Sequence, residues 1–196
     1  MSFLRTNSKI TEIIKILNTR YTEHGNIIKM GNISLTNHSI QTARQLDEWS
    51  AGTASSIVAG LLHDYGHMIN EHPCQINYHI NNRHEILGAR YLKHLGFPEN
   101  ILYPIRMHVQ MKRYFKATQD DYKLHDVANK SLILQGGIMD DINEINKLKN
   151  NKYFDQTAIL RISDDSAYKE DIDVISIIEF GDCIEEVLSK SLTLMH

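Results

Sequence analysis

The sequence predicts an all-α fold in a single domain over residues 1–196, and three observations predict it. Apolar residues recur at the three-and-four spacing of helices that bury one face. Only 3 Pro and 10 Gly interrupt 196 residues. No stretch sustains the period-two alternation and β-branched enrichment of a strand.

The elements follow in order. Ile10, Ile13, Ile14 and Leu17 form the stripe of a first helix. A second is expected over Leu35 to Trp49, with Ser34 or Thr36 as its cap, and a third over Thr53 to Asp64, where Ile57, Val58, Leu61 and Leu62 face inward. A fourth runs from Arg83 to His94, preceded by Asn82 and stopped by Gly96. Pro98 suits the first position of a fifth, which reaches Tyr114 and carries Pro104 as a candidate kink. Asp140 or Asp141 is placed to cap a solvated surface helix ending at Lys149, and Tyr153 to Ala167 and Asp173 to Leu192 complete the set. The loops with functional potential are Gly25 to Asn32, His67 to Asn82 and Gln135 to Met139.

Composition narrows the function. Hydrophobic residues make up 42% and charged residues 23%, so the chain can bury a full core without covalent staples. A net charge of −3 argues against nucleic acid as a partner. No apolar run reaches membrane-spanning length, so no membrane partner is expected. Met1 to Thr6 lack a secretory core, which points to the cytoplasm. Cys74 and Cys183 form no CxxC pair. Nothing in the sequence sets the oligomeric state.

Histidine is the anomaly, with 11 copies. Leu61-Leu62-His63-Asp64-Tyr65-Gly66-His67 ends an apolar helix in adjacent His and Asp. Burying that pair without partners would cost roughly 2–7 kcal/mol for each polar group, and a metal would remove the cost. Neighbouring helical positions point about 100° apart, so one ion cannot readily take both. Asp64 bridging two ions, with His63 on one of them, resolves this. His38, His84, His108 and Asp164 then supply the remaining ligands. A single histidine on a half-apolar helix is commonly a packed or solvated residue; the set as a whole points to metal. Four His and two Asp suit iron, manganese or zinc rather than calcium, and paired ions typically lie about 3.5–4 Å apart.

These residues resemble the HD-domain superfamily, in which His38, His63-Asp64, His84, His108 and Asp164 match the six-ligand, dinuclear branch. Further segments are similar to the PhnZ-type phosphonate oxygenases: Asn37 to Ala43, Ala59 to His67, His84 to Leu92 followed by Leu95-Gly96-Phe97, His108 to Tyr114, Gln135 to Met139, and Arg161 with Asp164. The resemblance covers residues 33–167. It implies a helical HD-domain bundle around a mixed-valent Fe(II)/Fe(III) pair. Such a centre uses dioxygen to cleave the carbon–phosphorus bond of a 1-hydroxyphosphonate, with (R)-2-amino-1-hydroxyethylphosphonate giving glycine and phosphate. Inositol oxygenase is a more distant relative with the same cofactor. On this resemblance His63, Asp64 and His67 are catalytic, and His67, Lys112, Ser131, Gln135 and Arg161 bind substrate. Taken alone, Lys112 and Arg161 would read as ordinary surface cations.

One segment departs from the pattern. The family carries Tyr-x-x-Glu about ten residues before the first His ligand, the Glu facing the substrate amine. Here that stretch reads Ile28-Lys29-Met30-Gly31, and Tyr21 and Glu23 occur earlier. The ligand set alone also suits an HD phosphohydrolase acting on a phosphomonoester or nucleotide, which is the alternative reaction.

Overall fold

The computed structural model describes residues 2–49, 52–69, 81–170 and 176–193, the side chains of 2–6 and Val127 excepted. It is a helical bundle: α1 (Ser2–Arg20), α2 (Leu35–Trp49), α3 (Ala54–Leu62), α4 (His84–Leu95), α5 (Glu99–Thr118), α6 (Asp126–Leu132), α7 (Ile142–Lys149), α8 (Phe154–Ser166) and α9 (Gly181–Thr193). The one sheet among the described residues is a hairpin, β1 (Lys29–Met30) against β2 (Ile33–Ser34).

Helix α3 is apolar all round, and such a helix must be enclosed. It packs against α2, α5, α8 and α9, and Ile57 through Leu62 are buried. Thr53 starts it, its side chain accepting from the Ser56 amide. The stripe on α1 is seated as expected, with Ile10, Ile13 and Leu17 buried and Ile14 packed at the margin. Ser34, rather than Thr36, caps α2 by accepting from the Asn37 amide at 3.1 Å. Gly96 stops α4 with φ of 100°, a backbone that a side chain would strain. Pro98 is the residue before α5 rather than its first, and α5 runs through Pro104 to Thr118. Asp141, not Asp140, caps α7.

Four elements differ from expectation. The stretch from Asp173 is not one helix: Ile177–Phe180 is a 3-10 turn begun by Ser176, and α9 starts only at Gly181, while residues 171–175 lie outside those described. Helix α6 and the hairpin went unpredicted, the hairpin having two residues per strand. A π-helical segment, Tyr21–Gly25, extends α1. The larger hydrophobic cluster gathers α1, α2, α3, α4, α9 and the start of α5. A smaller one, around Met111, Tyr114, Phe115, Met139 and Leu148, seats Met139 and α7 against α5. Among the described residues no helix is long and apolar enough to cross a membrane.

Candidate metal centre

Six buried side chains meet where α2, α3, α4, α5 and α8 converge. Their ligating atoms form two groups, His38 with His63 and Asp164, and Asp64 with His84 and His108, each within 4.8 Å. Asp64 joins the two. Its Oδ2 lies 3.7 Å from His38 Nε2 and 3.4 Å from His63 Nε2. Its Oδ1 lies 3.1 Å from His84 Nε2 and 3.6 Å from His108 Nε2. Asp164 closes the first group with Oδ1 3.1 Å from His38 Nε2 and Oδ2 3.6 Å from His63 Nε2. The chain makes room for this by ending α3: His63 is still helical, whereas Asp64 has φ −100° and ψ 10° and swings out of the helical path.

The opposite edge of each imidazole is held. Nδ1 of His38, His63 and His108 meets the carbonyls of Ala167, Gly60 and Ile105 at 3.0, 2.7 and 2.7 Å. His84 Nδ1 meets Asn82 Oδ1 at 3.3 Å. Oxygen can only accept, so Nδ1 carries the proton and Nε2 turns its lone pair inward. Two consequences fit a metal. His38 Nε2 and His63 Nε2 are buried without a hydrogen-bond partner. His84 Nε2 and His108 Nε2 stand 3.2 Å apart and, with both Nδ1 atoms protonated, face each other lone pair to lone pair, an arrangement that a shared cation would relieve. Charge agrees: burial would lower His63, but Asp64 and Asp164 push it up to about 10. Burial works against Asp64 as a carboxylate, yet His63 and His84 hold it well below the usual range. A metal ion would displace the proton and take its place. The four nitrogens and two carboxylates fit two first-row transition ions.

A cavity of about 60 Å³ opens beside the second group, lined in part by His67, Lys112, Ser131, Gln135 and Arg161, the five residues assigned to substrate. Lys112 is buried; its Nζ donates to Ser131 Oγ at 2.9 Å and to Ala128 O at 3.3 Å. Burial and the Arg161 guanidinium push it down to about 8. Gln135 turns an unpartnered Oε1 inward. Burial and His84 lower His67 to about 3, so its ring is neutral. Arg161 is placed differently from expectation. Its fork grips Asp165, and Nη1 holds Asp164 at 2.6 Å, so it steadies a candidate ligand while facing the cavity. Tyr122 braces Asp165 from behind.

Tyr21 and Glu23 do not reach the cavity. The Tyr21 hydroxyl donates to Leu61 O inside the core, and Glu23 is exposed. Met30 and Tyr168 line the cavity instead, with Asn81 and Asn82. Sequence reasoning missed Asn82 and Tyr168 as site residues. His72, His79, His196 and Cys74 lie outside the described residues, as does most of the loop after His67.

The profile of the HD domain family matches residues 35–128, which span five of the six candidate positions in full order and stop before Asp164. A hydroxymethylphosphonate dioxygenase of Gimesia maris is 30% identical over 187 residues, 93% of this chain and 90% of that one. The 1-hydroxy-2-(trimethylamino)ethylphosphonate dioxygenase (glycine-betaine-forming) of Leisingera caerulea is 29% identical over 163 residues, 82% of each chain. An uncharacterised protein of Acanthamoeba polyphaga mimivirus is 26% identical over 168 residues, 82% of this chain and 76% of that one. With helices, centre and likeness in agreement, the chain belongs to the HD-domain family, in the group that contains these phosphonate dioxygenases.

Proposed function

We propose that this protein is an iron-dependent oxygenase that cleaves the carbon–phosphorus bond of a 1-hydroxyphosphonate with dioxygen, and that residues 1–196 act as a single HD domain. The observation that carries it is Asp64, which gives one oxygen to each of two imidazole groups at the wall of a cavity holding a buried lysine. The likeness to two dioxygenases of this class supports the reaction.

In this reading His38, His63, Asp64 and Asp164 hold one iron, and Asp64, His84 and His108 the other. A mixed-valent Fe(II)/Fe(III) pair bound there supplies the redox chemistry. The chain's own part is placement and charge. Lys112 offers a charge-assisted hydrogen bond to a phosphonate oxygen, with Ser131 holding its ammonium in register. His67 offers a neutral N–H and Gln135 a carbonyl that can accept from a hydroxyl. Arg161 adds positive charge and fixes Asp164. His63, Asp64 and His67 form the catalytic wall.

The family's reference substrate, (R)-2-amino-1-hydroxyethylphosphonate, would give glycine and phosphate. One observation favours a second reading. Among the described residues lining the cavity, the only carboxylates are Asp64 and Asp164, so no spare acid faces an ammonium group. This favours a substrate without an amine, such as hydroxymethylphosphonate. Iron-loaded protein should consume oxygen and release phosphate together with one of these two. Phosphate released from a phosphomonoester or nucleotide without oxygen uptake would identify the phosphohydrolase instead.

A further inference from the structure

Asn82 sits against the edges of two stacked imidazoles, His67 and His84, whose centroids are 4.0 Å apart at 17°. The backbone amide of His84 donates to Asn82 Oδ1 at 3.3 Å. A peptide N–H can only donate, so this bond fixes which end of the Asn82 amide is oxygen. The same Oδ1 also faces His84 Nδ1 at 3.3 Å. The other end, an NH2 that can only donate, faces His67 Nδ1 at 3.0 Å. His67 Nδ1 must therefore carry a lone pair and its proton must lie on Nε2, the reverse of His84.

We infer that Asn82 is a positioning residue that sets opposite tautomers in this stacked pair, making His84 Nε2 a metal ligand and His67 Nε2–H a donor into the cavity. The backbone is bent to allow it. Arg83 is the only non-glycine residue with positive φ among the described residues, at 49°, and its left-handed turn carries the chain from Asn82 into α4. His67 Nε2 then stands 3.9 Å from Asp64 Oδ1, beside the space that an anionic oxygen would take. That last role rests on the proposed function; the tautomers do not.

A helix-start cap needs only the Asn82 Oδ1, whereas setting the His67 tautomer needs its NH2, and Asn82→Asp separates the two. Aspartate keeps the acceptor for the His84 amide but has no donor for His67. The test is two-bond proton–nitrogen spectroscopy of the zinc-loaded protein with labelled histidine. Wild type should show His67 protonated on Nε2. Asn82→Asp should move that proton to Nδ1 while the chain keeps the zinc content of wild type. Inorganic phosphate should bind the variant about tenfold more weakly, the scale of one hydrogen bond to a charged group. A wild-type proton on Nδ1, or a variant proton still on Nε2, overturns the inference. An equal loss of phosphate affinity in a His67→Ala background assigns the effect to the added charge and overturns the part given to His67. Absence of oxygen uptake with every hydroxyphosphonate would defeat the proposed reaction and leave these spectra unaltered.

Discussion

Asp64 is the residue on which both proposed ions would depend, because its two oxygens face different imidazole groups. Asp64→Ala should therefore lose both irons, whereas His108→Ala should lose the second and retain the first; metal content per folded chain measures this. Lys112 gives a pH signature. Burial and Arg161 lower it to about 8, so its charge is present below that pH and lost as the pH rises through it. Affinity for a hydroxyphosphonate should fall above pH 8 in wild type, and Lys112→Arg should flatten that limb, since guanidinium stays protonated. Binding titrations across pH 6.5 to about 9.5 would read it. The clustering of the candidate ligands was legible in sequence from His beside Asp at an apolar helix end, together with the family resemblance. Asn82 and Tyr168 were not, because an amide on a loop and a tyrosine two residues past α8 have no periodicity to betray which way they face. The grip of Arg161 on Asp165 was not legible either, although its physical reason is local. Asp165, one turn along the same helix, is within reach of its fork.

At the scale of elements, the junction between the α3 end and α4 is the tightest place in the fold. A methyl at Gly66 would lie 1.9 Å from the His84 carbonyl oxygen and 2.9 Å from the Gly88 nitrogen. Both contacts are backbone and neither can rotate away. Gly66→Ala should push α4 outward and cost about 2 kcal/mol or more. Metal analysis should show the second ion lost before the first, because His84 is the residue displaced. Thr53→Ala, at the far end of α3, is a contrasting case. It should cost about 1 kcal/mol through the lost cap and leave metal content unchanged. Denaturant melts with metal analysis distinguish the two. Helices α2, α4 and α7 were legible because their caps are spelled out locally, by Ser34, Gly96 and Asp141. The last helix was not. Ser176 caps a 3-10 turn that buries Ile177 and Phe180, and those two residues continue the apolar pattern of α9 without belonging to it.

Taken whole, the molecule closes its bundle around charge rather than only around hydrocarbon. Five helices each present a polar group to one buried point, so removing metal leaves lone pairs and carboxylates facing one another. Chelation should lower the melting temperature by about 10 °C or more, recoverable on adding iron or zinc, as scanning calorimetry can follow. The two hydrophobic clusters divide the labour unequally. Ala128 and Gln135 belong to a cavity wall whose helix, α6, contributes no residue to either cluster, whereas α2, α3 and α4 are locked into the larger. A wall anchored by so few apolar groups opens at lower cost than the bundle unfolds. Amide hydrogens of α6 and the turn after it should exchange with solvent well ahead of those in α3. The door for small anions would then swing on a light hinge, while the beams that carry the candidate ligands stay still.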